Sequence, residues 1–123
     1  MTITDSGRNV IAQAIRGDKT GGFNAFNKIA IGESGGNTDP TINELDLPIT
    51  ASPISLDSVT RSNENQVEFY KQLEGSTYEG NTIREVGIFD SAGTTMLLRI
   101  AIDPVGPLES GKLYDIRVII EVE

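Results

Sequence analysis

Two periodicities divide the chain: apolar positions recur at helical spacing over residues 4–16, and from residue 26 onward apolar and polar residues largely alternate. In the first stretch Val10, Ile11, Ala14 and Ile15 share one face. Thr4 stands as N-cap, Asp5 lies in the first turn, Arg16 in the last and Gly17 follows as a stop, all in the sense the helix dipole favours. The pattern predicts a surface helix with one buried stripe. Residues 17–22 then read as a flexible connector.

The run Phe26-Asn27-Lys28-Ile29-Ala30-Ile31-Gly32 reads as a strand with Asn27, Ile29 and Ile31 on one face. Residues 33–48, rich in Gly, Asn, Asp and Thr and punctuated by Pro40 and Pro48, read as a long loop. Loops of that length in compact domains are usually functional or mobile. Residues 54–61 and 66–73 predict a hairpin around the turn Ser62-Asn63-Glu64-Asn65. A second hairpin joins residues 83–89 to residues 95–102 through Asp90-Ser91-Ala92-Gly93, with Gly93 supplying the positive φ of the turn. Asp103-Pro104 and Gly106-Pro107 are expected to end it. Gly111 opens a last strand in which Tyr114, Ile116, Val118, Ile120 and Val122 alternate with Asp115, Arg117 and Glu121.

One helix followed by about six strands predicts a mainly β, α+β fold: an antiparallel β-sandwich with one N-terminal amphipathic helix packed against it. Residues 1–123 make one domain, without internal repeat or low-complexity tail. At 13.2 kDa the chain should bury about two-thirds of its unfolded surface, enough for an ordinary core.

Composition narrows the chemistry. The chain contains no His, no Cys and no Trp, so Ser-His-Asp and Cys-His nucleophilic mechanisms, thiol redox work and Cys/His zinc sites are excluded. A net charge of −8 with scattered basic residues argues against phosphate-gripping nucleic-acid binding. No apolar run reaches the ~20 residues of a membrane helix, and residues 1–5 lack the blocks of a signal peptide. The expectation is a non-enzyme made in the cytoplasm, with no cofactor, no nucleic-acid partner and no membrane partner.

The remaining constellations are weighed residue by residue. Gly32-Glu33-Ser34-Gly35-Gly36 lacks both the Gly-Lys-Ser/Thr ending and the GxGxxG spacing of phosphate loops, and reads as a turn. Glu33, Asp39, Glu44 and Asp46, with Asn37 and Asn43, are hard oxygen ligands that would suit Ca²⁺, but their spacing matches no EF-hand and a solvated acidic loop is the plainer reading. Glu68, Glu74, Glu79 and Glu85 raise the question of paired carboxylates for glycoside hydrolysis, yet they fall where outward strand or loop residues fall. Neighbouring Arg84 and Glu85 must point to opposite faces of their strand, so one charge lies on or near the apolar side. A structural ion pair, or a bond from Arg84 to loop carbonyls, is the plain reading; an Arg84 presented to a partner is the sharper one. Gly87 within that strand suggests a bulge or a close backbone neighbour. The tyrosines and phenylalanines, 6% of the chain, are expected to serve core or interface packing rather than form a sugar platform.

Three stretches carry a family resemblance: residues 4–14, the strand Lys28-Ile29-Ala30-Ile31-Gly32, and the block Ile83-Arg84-Glu85-Val86-Gly87-Ile88-Phe89-Asp90. In order and spacing they resemble the N-terminal, baseplate-attachment domain of tail-collar fibre proteins of contractile-tailed bacteriophages, with the loop around residues 40–47 and the last strand also fitting. The resemblance implies a homotrimeric structural protein of the virion tail, assembled in the host cytoplasm. The sequence departs in ending where the family's shaft would begin, so receptor binding is not carried over. An adaptor or collar joining the phage baseplate to a separately encoded tail fibre is expected. Lys28, Gly32, Arg84, Glu85, Gly87 and Asp90 are then motif residues, and Glu33, Asn37, Asp39 and Glu44 the expected partner-facing ones. From a different class, a small β-sandwich carbohydrate-binding module, calcium-assisted through the acidic loop, is the alternative.

Overall fold

A computed structural model describes residues 1–16 and 25–122, so the connector expected at residues 17–22 lies outside them. The elements, in chain order, are β1 (Thr2–Ile3), α1 (Asp5–Arg16), β2 (Phe26–Gly32), β3 (Ile54–Ser55), β4 (Ser58–Asn63), β5 (Gln66–Glu74), β6 (Ile83–Asp90), β7 (Met96–Val105) and β8 (Leu113–Glu121). They form a five-stranded antiparallel sheet in the order β1-β7-β6-β2-β3 and a three-stranded antiparallel sheet in the order β4-β5-β8. The mainly β, sandwich-like architecture with one N-terminal helix is as expected.

Period-two patterning explains the core. Ile29, Ile31, Val86, Ile88 and Leu98 alternate inward from the five-stranded sheet and meet Phe69, Leu73 and Val118 of the three-stranded sheet. Asn27 does not join this row, because the register of β2 against β6 shifts between Phe26 and Lys28. The β6-β7 hairpin closes as the sequence requires: Asp90 Oδ1 accepts from the N–H groups of Thr94 and Thr95 at 3.0 and 3.1 Å, and Gly93 has φ +74°.

Four expectations are corrected. The run at residues 54–61 is not one strand: Ile54–Ser55 pairs with β2, whereas Ser58–Asn63 pairs with β5, and the chain changes sheet at Leu56 and Asp57. The two flanking sheets hold that crossing, since Leu56 N–H donates to Asn27 O and Asp57 N–H to Tyr70 O, both at 2.9 Å. Strand β7 continues through Asp103-Pro104 to Val105; proline lacks only a donor, and β6 accepts this extension through register shifts. Residues 2–3 add a short edge strand that is too brief to leave a periodic signal.

The fourth concerns α1, whose start is as expected and whose burial is not. Thr4 Oγ1 accepts from Gly7 N–H at 3.0 Å and donates to Met96 O, while Thr4 N–H donates to Leu97 O at 3.1 Å, so the N-cap also fastens the helix to β7. Gly7 allows the approach, as a Cβ there would stand 2.3 Å from Leu97 O. Burial is deepest in this first turn. Gly7 is the buried residue of the helix, and Ile11 and Ile15 of the expected buried stripe are 40% and 81% exposed.

Candidate functional site

The five-stranded sheet has a second face, away from the three-stranded sheet, and the long loop lies across it. Ala30, Leu45, Phe89 and Met96 form a small apolar cluster there. Leu45, from the last part of the loop, sits over Gly32 and Gly87: a Cβ at either glycine would come within 3.2 Å of its side chain. The close neighbour at Gly87 is therefore a loop side chain rather than the backbone expected, and the register shifts of β6 lie to either side of it. Main-chain bonds continue the attachment, with Glu33 N–H donating to Leu47 O at 2.9 Å and Ile49 N–H to Ile31 O at 2.8 Å. The loop is thus fastened at its start, through Glu33, and along its last part, through Leu45, Leu47 and Ile49.

Beside Leu45 lies a buried ion pair. Arg99 Nη2 donates to Glu85 Oε1 at 2.5 Å, and both side chains are almost fully buried. Asp46 of the loop stands 3.9 Å from the same guanidinium, and Nη1 donates to the Glu44 carbonyl at 3.5 Å. One guanidinium thereby ties strand to loop. Burial pushes the Glu85 carboxyl up, and hydrogen bonding and attraction from Arg99 oppose that rise.

The motif residues find distinct places around this platform. Arg84 is exposed, so the charge on the apolar side is Glu85, and its partner is Arg99 rather than Arg84; adjacent strand residues face oppositely, whereas Arg99 on β7 shares the face of Glu85. The bond to a loop carbonyl likewise comes from Arg99. Lys28 is half-buried on β2 opposite Phe89, and buried Asp90 fixes the hairpin turn.

Of the expected partner-facing residues, Asn37 and Asp39 organise the loop itself. Asn37 Nδ2 donates to Asp46 Oδ1 at 3.0 Å and its Oδ1 accepts from Asp39 N–H at 2.8 Å. Asp39 Oδ1 accepts from the Thr41 N–H and hydroxyl at 2.9 and 2.7 Å, which lowers its carboxyl below the ordinary range. Glu33 is half-buried, and Glu44 is exposed at the rim of a cleft. Among the described residues no three acidic groups gather into a set able to hold a metal ion.

The cleft, of about 570 Å³, opens between the second half of the loop and the β6-β7 turn. Ala30, Phe89 and Leu45 contribute apolar lining, and Pro48, Pro53 and Glu44 stand among its walls. Its size and mostly apolar lining suit an inserted side chain or short segment.

Sequence reasoning missed Arg99 and Leu45, and weighed Asp46 only as one of the loop's hard oxygen ligands. The signal for Arg99 was a lone charge inside the apolar run Met96-Leu97-Leu98-Arg99-Ile100, which demands a buried counter-charge. Among the described residues no helix is long and apolar enough to cross a membrane. Compared with protein-family models, curated proteins and solved structures, the chain matches none.

Proposed function

We propose that this chain is a non-enzymatic attachment module of a bacteriophage tail, an adaptor or collar joining a tail fibre to the baseplate. The resemblance carried by residues 28–32 and 83–90 suggests the reading. The observation that supports it is the use to which those same residues are put: Glu85 holds the Arg99 guanidinium against the loop, and Gly32 and Gly87 seat Leu45. A motif spent on fixing a loop in one shape suits a preformed docking face, because order built in beforehand need not be supplied on binding. Residues 33–53 and the cleft beside them are that face in this reading. Its place is the virion tail, assembled in the host cytoplasm.

Cross-linking mass spectrometry on purified particles from the source of this chain tests the proposal. The expected result is the chain in particles, cross-linked to a baseplate protein and to a fibre, with contacts in residues 33–53. Particles that lack it would sink the tail assignment.

A further inference from the structure

The three-stranded sheet ends on β8, and among the described residues no strand covers the far side of β8. Pairing with β5 fixes which groups are left over. Gly75 N–H donates to Lys112 O and Val122 N–H to Asn65 O, both at 2.8 Å, so the even-numbered residues of β8 exchange bonds with β5 along the register. The N–H and C=O groups of Leu113, Asp115, Arg117 and Ile119 therefore point to the open edge.

Other sheet edges are blunted, as folded proteins require. Strand β3 has two residues, β4 is bulged between Thr60 and Asn63, and β7 is covered by β1 at Leu98 and Arg99 and carries Pro104 farther on. Strand β8 is nine residues long, with no register shift against β5 and no proline. Its outward side chains include two large exposed apolar ones, Leu113 at 62% and Ile119 at 52%. Between these stand one negative and one positive charge, Asp115 and Arg117.

That order is self-complementary. We propose that two copies of this chain join antiparallel along β8, with Asp115 opposite the partner's Arg117 and Leu113 opposite the partner's Ile119. Two-fold symmetry repeats each contact, so both charge pairs are of opposite sign and both flanking pairs are apolar. Sliding the register by one hydrogen-bonded pair in either direction sets Arg117 against the partner's Arg117, or Asp115 against the partner's Asp115; like charges directly opposite disfavour both. On the inner face Ile116 meets the partner's Ile116. An opening of about 350 Å³ there, lined among others by Ile102, Val105, Tyr114 and Ile116, lies beside the added strand. The contact closes on itself and makes one six-stranded sheet from two three-stranded ones.

Sedimentation equilibrium of the full chain, joined to amide hydrogen exchange, tests this. The dimer has twice the 13.2 kDa mass of the chain, and the amides of Asp115, Arg117 and Ile119 are protected in it, although none of them bonds to β5. Asp115→Arg sets like charges opposite each other twice and should weaken the dimer about tenfold or more. Adding Arg117→Asp to the same chain restores opposite signs and recovers association. Ile119→Pro removes an edge-facing N–H and should yield a monomer with an unchanged circular dichroism spectrum; if that variant fails to fold, the charge exchange still decides. A monomer, a trimer as the family resemblance implies, or a dimer indifferent to the charge exchange each overturns the proposal.

Discussion

Glu85 and Arg99 meet at 2.5 Å with each side chain 2% exposed, whereas Glu68 and Arg117 meet at 3.3 Å with 26% and 56% exposed. The first pair lies beneath the loop on the outer face of the five-stranded sheet. The second lies on the open face of the three-stranded sheet, where the Arg117 guanidinium also stands 4.7 Å from the Tyr70 ring centroid and Tyr70 donates to Asp115 at 2.7 Å. The same two residue types thus do different things. In solvent the pair is one of several contacts its members make; under the loop Glu85 is the nearer of two counter-charges to a buried guanidinium, and the farther, Asp46, belongs to the loop itself.

The largest effect should come from breaking the buried pair on one side. Arg99→Met leaves the Glu85 carboxylate without its counter-charge and should cost about 3–5 kcal/mol in urea denaturation. Removing both charges, with Glu85→Leu added, should recover most of that loss, as an apolar pair needs no counter-charge. If the double variant is as unstable as the single one, Arg99 acts through packing alone. Next in size is Leu45→Ala, which empties the seat over Gly32 and Gly87 and should cost about 2–5 kcal/mol by the same measurement. On the open face Glu68→Gln should change stability by less than about 1 kcal/mol.

The two faces should also differ in the sign of their pH dependence. Burial raises the Glu85 carboxyl, so the folded state holds that proton more tightly than the unfolded chain does. Its contribution is complete below the unfolded value near 4.5 and is lost as pH rises through the folded value. Wild type should therefore gain on Glu85→Gln as pH falls. Asp57 behaves oppositely: the Gln72 N–H, donated at 2.7 Å, lowers its carboxyl, and its contribution is present above the unfolded value near 3.8 and lost as pH falls through the folded one. Wild type should lose its advantage over Asp57→Asn on acidification. Denaturation midpoints across the acid range check both slopes.

The contrast also marks what could be read from residue order. Strands β2, β5, β6 and β8 were legible because one of their faces packs inward and alternation follows directly. The Thr4 cap and the Asp90-Gly93 turn were legible because their bonds are local. The covered face was not, because Arg99, Glu85 and Asp46 come from three separate segments and only the fold brings them together. Leu45 is one of three large apolar residues in the loop, with Ile42 and Leu47, and nothing in the residue order marks it as the one that the glycines receive. Helix α1 failed in the opposite way: its apolar stripe was plain, but the fold buries Gly7 of its first turn and leaves Ile11 and Ile15 of the stripe exposed.

The most direct test of the fastened loop is native-state hydrogen exchange at two loop-anchoring amides, Glu33, bonded to Leu47 O, and Ile49, bonded to Ile31 O. Both should be protected in wild type and should exchange much faster in Arg99→Met while the β5-β8 amides stay protected. Wild-type Glu33 and Ile49 amides exchanging as quickly as those of exposed turns would contradict the account, for the loop would then not be held by the sheet beneath it.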